Sequence, residues 1–267
     1  MLYENLNIPR DRATINAWLR SAATIDPIVN PTIEFHISHI EKSISIIDTN
    51  HNKFKEIIPI VKSSLQYIIY DLLVFGESFP YIEIKDKFFT KILDQNIDYV
   101  VVKRNLNGAG DMFIIPDEGI KRIFNNNKYE DLLEYKISRE VYDSVKTGGN
   151  IPLEQKYIKH LKLSRQGTEV RGTSYLVPIF TYIAKQESLN NEEVKNIILF
   201  PFENMNKTKI SMIRELYNRV WGQINPWLAH CFSLISEENE WYVEKHDKKE
   251  PLIPEINFND PMIFFDH

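Results

Sequence analysis

The spacing of apolar residues changes twice along these 267 residues, and that change constrains the fold class more than any single motif does. Ile15, Trp18, Leu19 and Ala22 recur three or four positions apart, the mark of an amphipathic helix. Asp26-Pro27 stops it. Asn30-Pro31 reads as a restart, with Asn as N-cap and Pro at the first helical position, and Ile33, Ile37, Ile40 and Ile44 continue on one face. After the turn-forming residues 48–52, Phe54, Ile57, Ile58, Val61, Leu65, Ile68, Ile69 and Leu72 repeat over about six turns, and Gly76 is expected to close that helix as its C-cap.

The middle has a different period. Ser78 to Ile84 and Asp98 to Lys103 are short runs rich in β-branched and aromatic residues. The second run, the glycine-bearing loop 105–111 and Met112 to Ile115 predict a hairpin. Short segments around Tyr129 to Ile137 and Glu140 to Tyr142 follow, then a loop at Thr147-Gly148-Gly149-Asn150. Without long helices between the strands, this half is expected to form an α+β module with an antiparallel sheet. From Arg171-Gly172-Thr173-Ser174 helical spacing returns in Leu176, Ile179, Phe180, Ile183 and Ala184, with Thr173 or Ser174 as cap. A longer helix carries Ile210, Ile213, Leu216, Tyr217, Val220, Ile224, Trp227, Leu228 and Ile235, and Pro226 should kink it. Trp241 to Val243 and Ile253 to Phe258 read as late strands. The apolar ending Pro261 to His267 reads as a truncated chain or a docking strand.

Composition narrows the function. Hydrophobic residues make up 43% and charged residues 26%, which excludes wholesale disorder. Lys plus Arg number 32 against 37 Asp plus Glu, a net charge of −5 that argues against a protein coating nucleic acid. Cys231, the one cysteine, cannot form an intrachain disulfide, so synthesis in a cytoplasm is the default. No run of about 18 uncharged apolar residues predicts a membrane span, and the N-terminal residues do not read as an export signal.

Motifs for chemistry are weak. His36-x-x-His39 places two imidazoles at helical i and i+3, a chelating spacing, but without paired thiolates or a His-Glu-x-x-His pattern it reads as two helix-surface histidines. His230 and Cys231 are adjacent and point about 100° apart on a helix, a poor catalytic or metal pair. Gly108-Ala109-Gly110 and Thr147-Gly148-Gly149 lack the remainder of any phosphate-binding fingerprint. Glu192-Glu193 and Glu237-Glu238 read as helix-end or loop charges. No cofactor and no catalytic or metal-ligating set is expected. Lys185, Lys195, Lys207 and Lys209 lie along the late helical region, where they could approach a phosphate backbone if that region lined a channel.

Several stretches, in order, resemble the portal proteins of tailed bacteriophages of the contractile-tailed kind. Ile8-Pro9-Arg10-Asp11-Arg12, Trp18-Leu19-Arg20 and Asp26-Pro27-Ile28-Val29 resemble the opening of that family. Asp71 to Pro80, through Phe75-Gly76-Glu77-Ser78, resembles its junction between a long helix and the wing strands. Asp98 to Val102 followed by Ile114-Ile115-Pro116 is similar to its wing sheet. His160-Leu161-Lys162-Leu163 leading to Arg171-Gly172-Thr173-Ser174 resembles the strand and turn that start the stem helix. Leu216 to Ile235 resembles the returning stem helix, and Pro254 to Phe258 the strand after it.

The resemblance implies a portal-like α+β fold in a short or truncated member: a wing-like domain over 1–170, stem helices with a small clip-like connection over 171–236, and returning wing strands over 237–267. It implies a ring of about twelve subunits at one capsid vertex, closed by head-to-tail contacts, through which double-stranded DNA is packaged and ejected without any bond chemistry. Implied partners are further copies of the chain, the major capsid protein, terminase and head-completion or tail adaptor proteins. The implied location is the virion, with no membrane. Trp221 and Trp227 are candidate subunit contacts, with core packing as the other reading of both. The rival readings are a metal-dependent nucleic-acid-processing enzyme and a monomeric virion adaptor.

Overall fold

The computed structural model describes residues 11–27, 29–48, 54–85, 88–104, 110–135, 137–163, 170–177, 207–238 and 253–259. Asp11 caps helix α1 (Arg12–Ile25), its side chain accepting from the Thr14 N–H at 2.8 Å. Leu19 and Ala23 turn inward, while Trp18 is half exposed. Helix α2 (Val29–Ser43) begins one residue before the expected cap at Asn30. Asp26, not Asn30, accepts the Val29 N–H, at 3.0 Å, and Pro31 occupies the third helical position, where its missing donor still costs no intrahelical bond. Ile44 does not continue the helix. It opens strand β1 (Ile44–Ile47), whose β-branched residues pair with a late strand instead.

Helix α3 (Ile57–Phe75) ends as expected at Gly76, which takes the left-handed conformation with φ 78° and donates its N–H to Leu72 at 3.0 Å. This helix is long and apolar enough to cross a membrane by length and composition. Its positions Val61, Leu65, Ile68, Ile69 and Leu72 are all buried in the protein, however, and Lys62 and Asp71 interrupt its apolar run, as suits a core helix.

Strands β2 (Glu77–Ser78), β3 (Pro80–Lys85), β4 (Phe88–Asp94), β5 (Val100–Arg104) and β6 (Gly110–Ile114) follow. The β5–β6 hairpin is the one expected, with Val100 opposite Ile114 and Val102 opposite Met112. β3 pairs antiparallel with β4, a strand not anticipated although Phe89, Ile92 and Leu93 carry β-forming side chains. The segments after β6 are helical rather than extended: α4 (Glu118–Asn126), a 3₁₀ turn (Tyr129–Tyr135) and α5 (Arg139–Lys146). Asp117 and Ser138 cap the two helices, and Phe124, Leu132, Tyr142 and Val145 close into a small cluster of their own. Strand β7 (Ile151–Pro152) joins β6, and β8 (Leu161–Lys162) joins β2.

Helix α6 (Lys207–Glu238) runs 32 residues, and Pro226 sits inside it without ending it. Strand β9 (Glu255–Phe258) pairs antiparallel with β1, Ile44 opposite Phe258. One core draws on nearly the whole length, from Leu19 of α1 through Ile40, Leu72 and Phe79 to Tyr217, Trp227 and Ile235 of α6. Phe54 meets Phe232 edge-on at 5.2 Å between ring centres. Helices and small antiparallel sheets therefore mix around shared packing, an α+β arrangement. The expected stem helix is described only at Leu176 and Val177. The expected strand at Trp241 to Val243 and the apolar ending lie outside the described residues.

Candidate functional site

Glu77 follows the left-handed turn at Gly76, and β2 carries it into the core against β8, opposite Lys162. Its side chain is wholly inaccessible to solvent. A buried carboxylate survives only if its lone pairs are matched, and here all are. Oε1 accepts from Arg171 Nε at 2.8 Å and from Arg12 Nη2, while Oε2 lies 2.9 Å from His160 Nε2 and accepts the Gly172 N–H at 2.8 Å. Burial by itself would push this carboxyl up. The hydrogen bond from His160 and the charges of Arg12 and Arg171 outweigh it and hold the group below its ordinary value.

The partners are anchored in turn. Arg171 Nη1 donates to the Val100 carbonyl at 2.6 Å and Nη2 to Ile97 at 3.4 Å, and Arg12 donates to the Gly172 carbonyl at 3.2 Å. Phe79 forms the floor. The His160 ring stacks on it at 4.6 Å, and the Arg171 guanidinium lies 5.3 Å from its centre. Gly172 and Gly76 cross so closely that a Cβ on Gly172 would stand 2.0 Å from the Gly76 carbonyl oxygen. Ser174 completes the turn, its hydroxyl donating to the Val74 carbonyl and accepting the Leu176 N–H at 3.0 Å as helical structure begins. Ionised, saturated and dry, Glu77 is no proton donor or nucleophile. It is a clamp joining the start of α1, the end of α3, β8, the segment before β5 and the turn at Arg171.

A second acid site adjoins it. Asp71, in the last turn of α3, shares a hydrogen bond with Asp94 at the end of β4. Asp94 also accepts from the Ser78 hydroxyl and the Phe79 N–H, each at 3.1 Å. Burial raises Asp71 to about 9, and the neighbouring Asp94 adds to the shift; burial raises Asp94 too, so the pair together keeps a proton above the ordinary carboxyl range. Arg20 and Asn16 of α1 face Asp98 beside it, at 2.9 and 2.8 Å. Between the ordinary carboxyl range and about 9 the folded state keeps a proton that the unfolded state has lost, so stability falls as pH rises through this window. Asp71→Asn copies the protonated acid. At pH 8 it is expected to stabilise by about 1 kcal/mol or more, a gain that vanishes near pH 4; paired thermal melts at the two pH values test this.

Other sequence candidates separate. His36 is no surface histidine: its Nδ1 lies 2.6 Å from the Tyr217 hydroxyl, and burial lowers it to about 4. His39 Nδ1 instead lies 2.9 Å from the Phe35 carbonyl oxygen of its own helix, so the two rings do not converge on a metal. Among the described residues no group of three or more His, Cys, Asp or Glu is placed to hold a metal ion. Cys231 is fully buried and its thiol is pushed up, while His230 Nε2 lies 2.8 Å from the Lys156 carbonyl oxygen. Glu238 pairs with Lys156 at the end of α6. Trp227 is 1% exposed in the centre of the core and offers no surface to another chain, whereas Trp221 is half-buried and donates to the Ser43 hydroxyl at 3.1 Å. Lys207 and Lys209 fall in the first turn of α6; Lys185, Lys195, Glu192, Glu193 and Gly108-Ala109 lie outside the described residues. Asp94 escaped the sequence reading because β4 did, and its pairing with Asp71 spans two elements that no local spacing connects.

No protein-family model and no curated protein matches the chain. Its structure is similar to a chain in the virion of a native gene transfer agent particle, with a TM-score of 0.46 and 9% identity over 95% of this chain and 85% of that one. It is also similar to a chain in the neck of an empty gene transfer agent particle computed with C6 symmetry, with a TM-score of 0.45 and 8% identity over the same shares. At TM-scores below 0.5, neither likeness establishes a shared fold or a shared function.

Proposed function

We propose that this chain is a subunit of a portal ring at one capsid vertex of a tailed phage or phage-like particle, the channel for DNA packaging and ejection and the attachment point for the tail. One observation carries the reading. Four segments whose order carries the portal resemblance, at Arg12, Gly76-Glu77, His160 and Arg171 to Ser174, meet in one buried cluster although they lie as many as 160 residues apart. That convergence supports reading the four segments as parts of one structural unit. A ring wall through which DNA is driven must transmit load between wing and stem, and a dry ion-pair clamp at the start of the stem does so without a flexible joint.

The chain performs no bond chemistry in this role. Its net charge of −5, repeated around a ring of about twelve subunits, gives on the order of −60, a wall that repels phosphate and lets DNA slide. Lys185, Lys195, Lys207 and Lys209 are the candidate channel contacts, and Trp221 the remaining tryptophan candidate at the subunit interface. Capsid protein, terminase and tail adaptors are the partners, and the virion is the location. Mass by light scattering with negative-stain images of the same peak tests the proposal: rings with a central hole are expected. A compact monomer at every salt and concentration refutes it.

A further inference from the structure

Among the described residues an unpartnered surface lies between α2 and α3. A groove of about 420 Å³ opens there over Ile37, walled by Glu34 and Glu41 on one side and by Gln66, Tyr67 and Tyr70 on the other. Its chemistry is aromatic and anionic: Tyr67 is 69% exposed, no cation among the described residues lines the groove, and Gln66 donates to Glu41 at 3.0 Å, holding that carboxylate at the rim. At one end Tyr70 hydrogen-bonds Thr24 of α1, and the next residue, Ile25, is 77% exposed. An aromatic groove framed by carboxylates suits a cationic, partly apolar element.

The chain itself presents such an element. On α4 Ile120 and Phe124 face the small separate cluster, leaving Arg122 exposed and Ile123 53% exposed on the outer side. Lys121 is paired with Glu118 at 2.8 Å, so Arg122 is the free cation of the helix, with no ion pair among the described residues. An exposed isoleucine beside a guanidinium complements a groove of two tyrosines and two carboxylates in polarity and in charge.

We infer that the α2–α3 groove receives the α4 face of a second copy of this chain, Arg122 against Glu34 and Glu41 and Ile123 against Tyr67. The inference rests on the ring reading and names the surface that closes it. Groove and knob are different patches, so the contact is heterologous, the type that propagates head to tail and closes into a ring. A two-fold dimer would need a self-complementary patch instead.

Paired cysteines provide the test. Tyr67→Cys with Ile123→Cys in one chain should give, on mild oxidation, a ladder of covalent oligomers in steps of 31.5 kDa. Either single variant, or Tyr67→Cys with the exposed Tyr99→Cys, should give none; buried Cys231 is out of reach. As a second arm that does not depend on cysteines, Glu34→Lys with Glu41→Lys should reduce the mass by light scattering to that of one subunit, and Arg122→Glu added to them should restore it. Melting curves matching the unaltered chain confirm that each variant folds. If the unaltered chain forms rings but the cysteine pair gives no ladder and the reversed charges leave the rings intact, the groove assignment is wrong and the portal reading stands. If the unaltered chain stays monomeric at every concentration and no ladder forms, both fall.

Discussion

Glu77→Ala is expected to cost about 3–5 kcal/mol of unfolding free energy, because it leaves the largely buried Arg171 and His160 and the buried Gly172 N–H facing a void where a carboxylate stood. That is a large share of the roughly 5–15 kcal/mol typical of a folded domain. Arg171 is the member hurt most. Its guanidinium keeps the Val100 and Ile97 carbonyls but loses the charge that offset its burial, while the Gly172 N–H loses its acceptor. Arg12→Ala should cost only about 1 kcal/mol, since that side chain is 37% exposed and water can replace much of the interaction. The clamp also has a pH signature. With the Glu77 carboxyl held below its ordinary value, its stabilisation is present above the usual carboxylate range and is lost as pH falls through the folded value. Urea unfolding at pH 7 and pH 4 checks both points: the gap between the native chain and Glu77→Ala should be wide at pH 7 and narrower at pH 4. A gap below about 1 kcal/mol at pH 7 would mean that the cluster is not the clamp its geometry describes.

Glu77 and Asp71 act in opposite directions, although both are carboxyls near the end of one helix. Glu77 has cations and an N–H donor; Asp71 has another carboxylate. Stability should therefore fall off toward acid through the first and toward alkali through the second.

Sequence periodicity located α1, α3, α6 and the β5–β6 hairpin because each carries its own repeat and its own stop signal, Gly76 most plainly. It misplaced Ile44 because the partner that makes Ile44 a strand residue lies more than two hundred residues later in β9. It missed α4 and α5 because each is amphipathic over only nine and eight residues, too short a stretch for the apolar spacing to repeat. The clamp was legible only in pieces. Each of its segments stood out in order, yet nothing local to Gly76-Glu77 or Arg171-Gly172 reveals that they touch, since that contact is set by the β2–β8 pairing.

Gly172→Ala carries that contact to its most severe test and is expected to cost more than about 4 kcal/mol, enough to leave little folded protein. The added Cβ would stand 2.0 Å from the Gly76 carbonyl oxygen and 2.7 Å from its carbon, and both obstacles are backbone. Neither segment can retreat cheaply. Moving Gly76 breaks the 2.7 Å bond from the Leu163 N–H to its carbonyl, and moving Gly172 withdraws its N–H from Glu77 and strains the adjoining 2.8 Å bond from the Thr173 N–H to Leu163. Two other glycines separate this clash from the general cost of losing a glycine. Gly148→Ala, at φ 84° with open space around it, should cost about 1 kcal/mol from backbone strain alone. Gly222→Ala, inside α6 with nothing near its missing Cβ, should be neutral or stabilise by up to about 1 kcal/mol. Soluble yield and urea midpoints of the three variants give the order. If Gly172→Ala folds with a midpoint close to that of Gly148→Ala, the two backbones do not cross as closely as the clamp requires, and the turn at Arg171 is free to move relative to α3.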